Sequence, residues 1–332
     1  MNLRLCAILV VVLTGTALLA QDEPISGRKR HYVPRYPLEI GFSIGSSHFL
    51  GDLGGTGGLG QALWVDNDWE SVRPMVGGYI RYNIGGHFSL RLNLNYVYLY
   101  GNDQYTGQGF DATQWAPDEA GWFRYYRNLH FRSLCLEICQ VGHYTPFNLK
   151  LSGSLYTEQT DYRLAPYILA GVGLLCFNPQ ARLGGTWVDL HPLRTEGQGL
   201  VDGRPEYRLM QFIVPVGIGV QWEHNHSYVF SLEVRHQITF TDYLDDVSTD
   251  YVSPSVFTDY HDPATAAQAT TLARRSAEQD PKERYGYITA PGQQRGNASN
   301  NDSYFLISLR LGFYLKRSRK LAIVKDYVGG RL

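Results

Sequence analysis

Hydrophobic and polar residues alternate with a period of two along most of this 332-residue chain. In segment 304–315, every second residue from Phe305 to Leu315 is apolar, whereas Arg310, Gly312 and Tyr314 lie between them. Successive side chains of a β-strand point to opposite faces, so the pattern predicts a strand with one apolar and one polar face. Similar alternation, weaker in three cases, predicts strands in segments 38–45, 73–84, 88–98, 129–143, 163–177, 211–222 and 230–240.

The connections between these eight segments alternate in length. Segments 84–87 and 223–226 are tight and 144–162 is moderate, whereas four connections are long: 47–72, 99–128, 178–207 and 241–302. Outer-membrane barrels have short periplasmic turns and long extracellular loops. We therefore predict an all-β fold, an eight-stranded antiparallel up-and-down transmembrane β-barrel with four long extracellular loops.

The alternative is a soluble barrel with its apolar face inside. It is disfavoured because the polar face nearly lacks Lys, and because aromatic residues lie near strand ends as in interfacial girdles: Tyr82, Tyr96, Tyr98, Trp222, Tyr228 and Phe240.

The N-terminus has the pattern of an export signal. Arg4 precedes an apolar run that ends in small residues, which predicts cleavage between Ala20 and Gln21. We divide the chain into a signal peptide at 1–20, a periplasmic segment at 21–36, the barrel at 37–315 and a basic periplasmic tail at 316–332. The predicted location is the cell outer membrane.

The charge balance limits the classes of partner. The chain has 30 basic and 31 acidic residues, a formal net charge of −1, which argues against a strongly basic nucleic-acid-binding protein. The expected contacts of this chain are with outer-membrane lipid, and nucleic acid is not an expected partner.

Charged residues occur on the polar face of the predicted strands. If this face points inward, these residues share the interior: Glu39, Arg81, Arg91, Glu137, Glu233, Arg235 and Arg310. The interior of an eight-stranded barrel is just wide enough for side chains to fill, and an unpaired buried charge costs several kcal/mol. The sequence therefore predicts ion pairs and no open channel; a proton or substrate path is the less favoured alternative.

The motifs for chemistry are weak. G-x-S-x-G at 41–45 lies within a predicted strand, and G-x-G-x-x-G at 55–60 has no helix after it. A hydrolase or acyltransferase embedded in the barrel would need a serine, a histidine and a carboxylate that converge at one rim, with His130 or His143 as the candidate histidine, and the sequence shows no such set. We therefore predict no enzyme activity, no catalytic residues, no cofactor and no metal site.

An acidic cluster raises the question of metal binding, and three cysteines raise the question of a disulfide. The carboxylates of Asp242, Asp245, Asp246 and Asp250 could bind Ca²⁺, but their spacing does not match an EF-hand loop, so a solvated turn is predicted. Cys135 and Cys139 lie four residues apart on one strand, too far apart to form a disulfide with each other. Cys176, on the neighbouring strand, could form a disulfide with Cys135 only if both side chains point to the same face of the sheet.

Basic residues flank the predicted barrel on its periplasmic side. They could dock a periplasmic partner, or they could contact only membrane phosphates and water. The residues are Arg28, Lys29, Arg30, Lys316, Arg317, Arg319 and Lys320.

Five blocks together resemble the PorG-like outer-membrane barrels of Bacteroidota. They are SHFLGDLGG at 47–55, RNLHFR at 127–132, APYILAGVG at 165–173, LRTEGQG at 193–199 and FTDYLDDVS at 240–248. The resemblance implies a small outer-membrane barrel that serves as an accessory of the type IX secretion system. It also implies association with a periplasmic ring lipoprotein and that lipoprotein's partner, and it carries no catalytic motif.

Two hypotheses about function follow. The first is a non-enzymatic scaffold of the type IX protein secretion machinery. The second is a surface-exposed binding protein for a glycan or protein ligand, because the long loops contain Trp64, Trp69, Trp115 and Trp122.

Overall fold

A computed structural model describes residues 36–53, 69–107, 120–153, 160–224, 227–282 and 284–315. Eleven strands occur in these ranges. They are β1 (Leu38–Leu50), β2 (Arg73–Asn83), β3 (Phe88–Asn102), β4 (His130–Tyr144), β5 (Leu149–Gly153), β6 (Thr160–Cys176), β7 (Pro179–Leu183), β8 (Thr186–Asp189), β9 (Met210–His224), β10 (Tyr228–Thr239) and β11 (Ser303–Tyr314).

Eight of these strands close into a barrel. Each pairs antiparallel with its neighbour in the order β1, β2, β3, β4, β6, β9, β10 and β11, and β11 pairs again with β1. All eight predicted strands are present, so the predicted up-and-down barrel is confirmed. The β2–β3 turn is tight because Ile84 N–H donates to the Phe88 carbonyl at 2.8 Å, and Gly85 adopts a φ of +104° that favours glycine.

The apolar face points outward along the whole wall. Phe212 is 69% exposed and Leu309 60% exposed, whereas Ser43 and Asn95, on the opposite parity, are at most 1% exposed. A barrel with an apolar exterior and a polar interior satisfies its backbone hydrogen bonds internally while it faces lipid. The alternative of a soluble barrel with an apolar interior is therefore wrong.

Three strands were not predicted. β5 continues the line of β4 after Pro146 and pairs with β6 at 160–164, so this hairpin extends past the barrel rim. At the other end, β7 and β8 form a hairpin on the edge of β4. Its tip is Gly184 and Gly185, whose φ values of +55° and +91° fit a tight two-residue turn.

The long connections fold over the end of the barrel away from the tight turns. We call the described residues of segments 51–53, 103–129, 177–209 and 240–302 the cap. The cap contains helices α1 (Ala120–Arg127), α2 (Pro254–Tyr260), α3 (Pro263–Ala273) and α4 (Ser276–Gln279). Within it, Phe257 and Leu272 pack with Ala181 and Leu193 in a small second core. None of the helices in the described ranges is long and apolar enough to cross a membrane.

Candidate functional site

The seven charged residues predicted for the interior lie on six strands of the barrel wall and are at most 4% exposed. Their parity along each strand places them on the inner face. Three carboxylates, Glu39, Glu137 and Glu233, organise them into groups.

Glu233 on β10 contacts two arginines and a tyrosine. Its Oε1 accepts a hydrogen bond from Arg91 Nη2 at 2.9 Å and lies 3.3 Å from Arg310 Nη2. Its Oε2 accepts a hydrogen bond from the Tyr167 hydroxyl at 2.8 Å. These groups come from β3, β6, β10 and β11, so they fill the barrel from wall to wall.

Glu137 and Glu39 form similar groups at other levels of the barrel interior. Glu137 Oε1 accepts from Arg235 Nη2 at 2.9 Å, across the barrel. Glu39 Oε2 lies 3.5 Å from Arg81 Nη1. Arg81 also donates to Gln221 at 2.7 Å. Each of the four predicted interior arginines thus lies within 3.5 Å of a glutamate oxygen.

Two further features of the interior were missed from the sequence. Arg163 Nη2 lies 3.3 Å from Glu223 Oε2 near the end with the tight turns. The parity of β9 identifies Glu223, because it follows Gln221 on the same face. In addition, a tyrosine hydroxyl donates to each interior glutamate: Tyr79 to Glu39, Tyr167 to Glu233, Tyr304 to Glu137 and Tyr314 to Glu223.

Arg127 on α1 joins three segments of the cap. Its Nε and Nη2 donate to the two carboxylate oxygens of Asp103 at 2.8 and 2.7 Å. Its remaining donors reach the carbonyls of Arg295 at 2.6 Å and Asp52 at 2.7 Å. A bidentate, fully buried guanidinium of this kind fixes both position and orientation.

Glu196 forms a second junction. Its carboxylate accepts from Arg295 Nη1 at 2.8 Å and from the backbone N–H groups of Ser248 and Thr249, each at 2.9 Å. Arg295 Nη1 also donates to the Asp246 carbonyl at 2.6 Å. The loop between β8 and β9 is thereby fastened to both ends of the loop between β10 and β11.

Asp242, Asp245, Asp246 and Asp250 were predicted to lie in a solvated turn. That prediction is wrong for the first three, whereas the Asp250 side chain is 49% exposed. Asp242, Asp245 and Asp246 are 8%, 1% and 0% exposed, because other segments of the cap cover the turn. Asp246 accepts a hydrogen bond from the Tyr207 hydroxyl at 2.7 Å. Burial raises the pKa of Asp246 to about 6, against the opposing effects of Arg295 and of hydrogen bonds from Thr195 and Tyr207.

Trp122 is also buried, at 4% exposure, so this residue of the predicted ligand-binding set supports the cap instead of facing solvent. It packs against Tyr126 and Tyr285 with ring centroids 4.9 and 5.1 Å away. Trp64 and Trp115 lie outside the described residues, as does the side chain of Trp69.

The histidines considered for hydrolysis lie apart from each other in the fold. His130 Nε2 accepts from the backbone N–H of Arg182 at 3.0 Å, and His143 Nδ1 lies 3.2 Å from Arg81 Nη2. In the described part of the chain, no group of three or more His, Cys, Asp or Glu residues is arranged to hold a metal ion. Cys135 is buried, Cys176 is partly exposed, and both are free thiols, as is Cys139.

Several predicted residues lie outside the described ranges. They are the cleavage pair Ala20 and Gln21 and the basic residues Arg28, Lys29, Arg30, Lys316, Arg317, Arg319 and Lys320.

A closed eight-stranded barrel with a lipid-compatible exterior and a charged, packed interior defines a class, the outer-membrane β-barrel proteins. No protein-family model matches the chain, and no curated protein matches it.

Solved structures with a similar fold include the N-terminal β-barrel domain of OprF from Pseudomonas aeruginosa. It is 10% identical, with 84% of this chain and 96% of that chain covered and a TM-score of 0.31. Ail, the attachment invasion locus protein of Yersinia pestis, in complex with the heparin analogue sucrose octasulfate, is 9% identical. The alignment covers 83% of this chain and 98% of that chain, with a TM-score of 0.30.

Proposed function

We propose that this protein is a closed, non-enzymatic anchor in the outer membrane that acts as an accessory of the type IX protein secretion machinery. The observation that carries the proposal is the closure of the barrel. A closed barrel is suited to act through its surfaces, as an accessory of a larger assembly does.

The paired charges of the interior support closure. Glu233 with Arg91, and Glu137 with Arg235, join side chains of non-adjacent strands at 2.9 Å, and Arg310 on the neighbouring strand lies 3.3 Å from Glu233. A solute path would have to break these contacts in a medium of low dielectric constant, where unpaired charges are costly.

The cap is a second observation in favour of a closed barrel, because it covers the predicted extracellular end. Arg127 and Arg295 join four loops to one another through buried, charge-assisted hydrogen bonds. Such bonds are about twice as strong as neutral ones. These contacts hold the loops together over the end of the barrel.

The link to secretion rests on the five blocks that resemble PorG-like barrels. In that hypothesis the basic residues Arg28 to Arg30 and Lys316 to Lys320 contact a periplasmic ring lipoprotein and its partner. Cleavage after Ala20 would deliver Gln21 as the first residue in the periplasm.

Affinity capture tests this function. The tagged full-length protein is extracted from its native outer membrane in mild detergent, and its partners are identified by mass spectrometry. We expect the ring lipoprotein and its partner to be recovered, and alanine replacement of Arg317, Arg319 and Lys320 to reduce their recovery. The matched control replaces three exposed cations of the extracellular side, Arg208, Lys282 and Arg284. Recovery of the barrel alone would contradict the secretion function.

A second candidate function, binding of a surface ligand, is favoured by one observation. Tyr125, Tyr126 and Tyr285 form a partly exposed ring cluster on the cap, with contacting centroids 4.7 to 5.1 Å apart. Tyr287, two residues after Tyr285, is 59% exposed. Exposed aromatic rings beside Arg284 suit contact with a glycan or a protein. If this function holds, Tyr287→Ser weakens binding on a glycan array and leaves partner recovery unchanged. Equal binding by both proteins would exclude this surface.

A further inference from the structure

Four carboxylates from three chain segments meet where the cap rests on the barrel. Asp52 follows β1, Asp242 and Asp245 follow β10, and Asp302 precedes β11. All four are at most 8% exposed. Short contacts bind the segments together: Asp302 N–H donates to the Thr241 carbonyl at 2.9 Å, and Asp302 Oδ2 accepts from Leu244 N–H at 2.8 Å.

Three of the oxygens in this group have no hydrogen-bond partner among the described residues. They are Asp242 Oδ2, Asp245 Oδ2 and Asp302 Oδ1. A buried, ionised carboxylate with an unpartnered oxygen is strongly unfavourable, and the usual outcome is that the group takes up a proton. Three such oxygens at one junction therefore indicate bound protons.

The charges facing the group do not neutralise it. Arg127 and Arg124 of α1 face it from one side, and Glu196, from the loop between β8 and β9, adds a further negative charge. Arg127 already makes its bidentate contact with Asp103. Four carboxylates thus face two guanidiniums and a fifth carboxylate.

We propose that Asp52, Asp242, Asp245 and Asp302 form a proton-operated latch, which holds the cap on the barrel when protonated and releases it when ionised. The ligand of this site is the proton itself. The proposal goes beyond the secretion function and does not depend on it, because any closed barrel with this junction would respond in the same way.

The direction of the pKa shifts agrees with the geometry. Burial is the largest cause for each residue. It raises the pKa of Asp242 to about 8 and the pKa values of Asp52, Asp245 and Asp302 above the ordinary value of 3.8. The neighbouring aspartates add to the shift of Asp242, Asp245 and Asp302, whereas the charges of Arg127 and Arg124 and the hydrogen bond from Asn297 N–H oppose the shift of Asp52. A raised pKa means that the closed cap binds more protons than the open one. The closed state is therefore favoured at low pH, and the advantage is lost as pH rises from about 4 through the raised values, up to about 8 for Asp242.

Hydrogen exchange of the full-length protein in vesicles, with a chelator present, tests the latch between pH 6 and pH 9. Protection factors corrected for the intrinsic exchange rate are compared for cap segment 241–252 and barrel segment 228–239. We expect protection of the cap segment to fall at least tenfold over this range, while protection of the barrel segment stays constant. One unit of pKa shift corresponds to a tenfold change in such an equilibrium.

Substitutions identify the responsible groups. Asp245→Asn with Asp302→Asn imitates the protonated, neutral form, so the cap should stay protected at pH 9. Asp202→Asn is the control, since Asp202 is an exposed residue of the cap, and it should behave as the wild type. If the double variant does not fold, Asp245→Asn alone should reduce the pH dependence. A flat profile in the wild-type protein, or equal pH dependence in the Asn variants, would overturn the proposal.

Discussion

Replacing Glu233 by Gln tests whether charge pairing holds the barrel interior together. The substitution keeps the size and shape of the side chain but removes the charge that compensates two arginines. Arg91 Nη2 lies 2.9 Å and Arg310 Nη2 3.3 Å from Glu233 Oε1, and all three side chains are at most 3% exposed. In the Gln variant, both guanidiniums stay charged because arginine does not deprotonate in proteins.

The expected loss of stability is about 3–5 kcal/mol, the usual cost of removing one partner from a buried ion pair. This range corresponds to about two to four powers of ten in the unfolding equilibrium constant, since about 1.4 kcal/mol is tenfold. The Tyr167 hydroxyl, 2.8 Å from Glu233 Oε2, can still donate to a Gln oxygen, so the neutral hydrogen bond contributes little to the loss. Because the substitution leaves two arginines without their carboxylate, we expect a loss of stability near the upper end of this range.

The assay is urea unfolding of the protein in lipid vesicles, followed by tryptophan fluorescence and extrapolated linearly to water. Glu206→Gln is the control. It removes an ion pair of similar geometry, with Arg194 Nη2 at 2.9 Å, but the Glu206 side chain is 45% exposed. Exposed pairs contribute about 0.2–1 kcal/mol. If Glu233→Gln and Glu206→Gln have equal effects, the interior charges do not stabilise the barrel and the reasoning is wrong.

Three further predictions concern closure and packing. In a planar bilayer, the wild-type protein should show no steady, large conductance; a reproducible one would contradict the packed interior. Gly77→Ala should cost about 1–3 kcal/mol by overpacking, because its Cβ would overlap Asn95 Oδ1 and lie 2.8 Å from the Leu94 carbonyl, whereas Gly78→Ala, with 3.8 Å of space, should be neutral. Equal urea midpoints for the two variants would refute this. Arg127→Met should speed protease cleavage of the cap at least tenfold and leave the barrel intact; unchanged cleavage would show that Arg127 does not hold the cap.

The barrel wall was predictable because its environment imposes a strict rule on the sequence. With lipid outside and packed polar groups inside, a shift of one residue would place every side chain on the wrong face. Segment 304–315 follows the rule almost completely, and β11 has the predicted faces, with Leu306 as an apolar residue that is buried inside. Parity also predicted the inward direction of Arg310.

The cap was not predictable by the same means, because its contacts join residues that are distant in the chain. Arg127 reaches the carbonyl of Arg295, 168 residues away, and no periodicity encodes such a contact. Helices α2 and α3 do have local signals. Ser253 and Asp262 are N-caps, and each precedes a proline at the first helical position. These signals are short, and the polar composition of segment 241–302 obscured them.

The acidic turn shows how tertiary context reverses an assignment based on composition. Asp242, Asp245 and Asp246 are hydrophilic and closely spaced, which is typical of a solvated loop. They are buried because Glu196 and Arg295 hold the turn against the rest of the cap. Sequence alone gives the charge of such a group but not its burial.

The blocks that carry the family resemblance have a common structural role. Four of them, at 47–55, 127–132, 193–199 and 240–248, supply Asp52, Arg127, Glu196 and Asp246 to the cap. The fifth, at 165–173, lies in β6 and supplies Tyr167 to the interior. These blocks therefore specify closure, which a secretion accessory and a surface-binding protein would both need. The two functions must differ elsewhere, in the basic periplasmic segments or in the exposed aromatic surface around Tyr287. For this reason, variants in those two regions can separate the candidate functions, whereas variants in the blocks would impair the fold that both functions require.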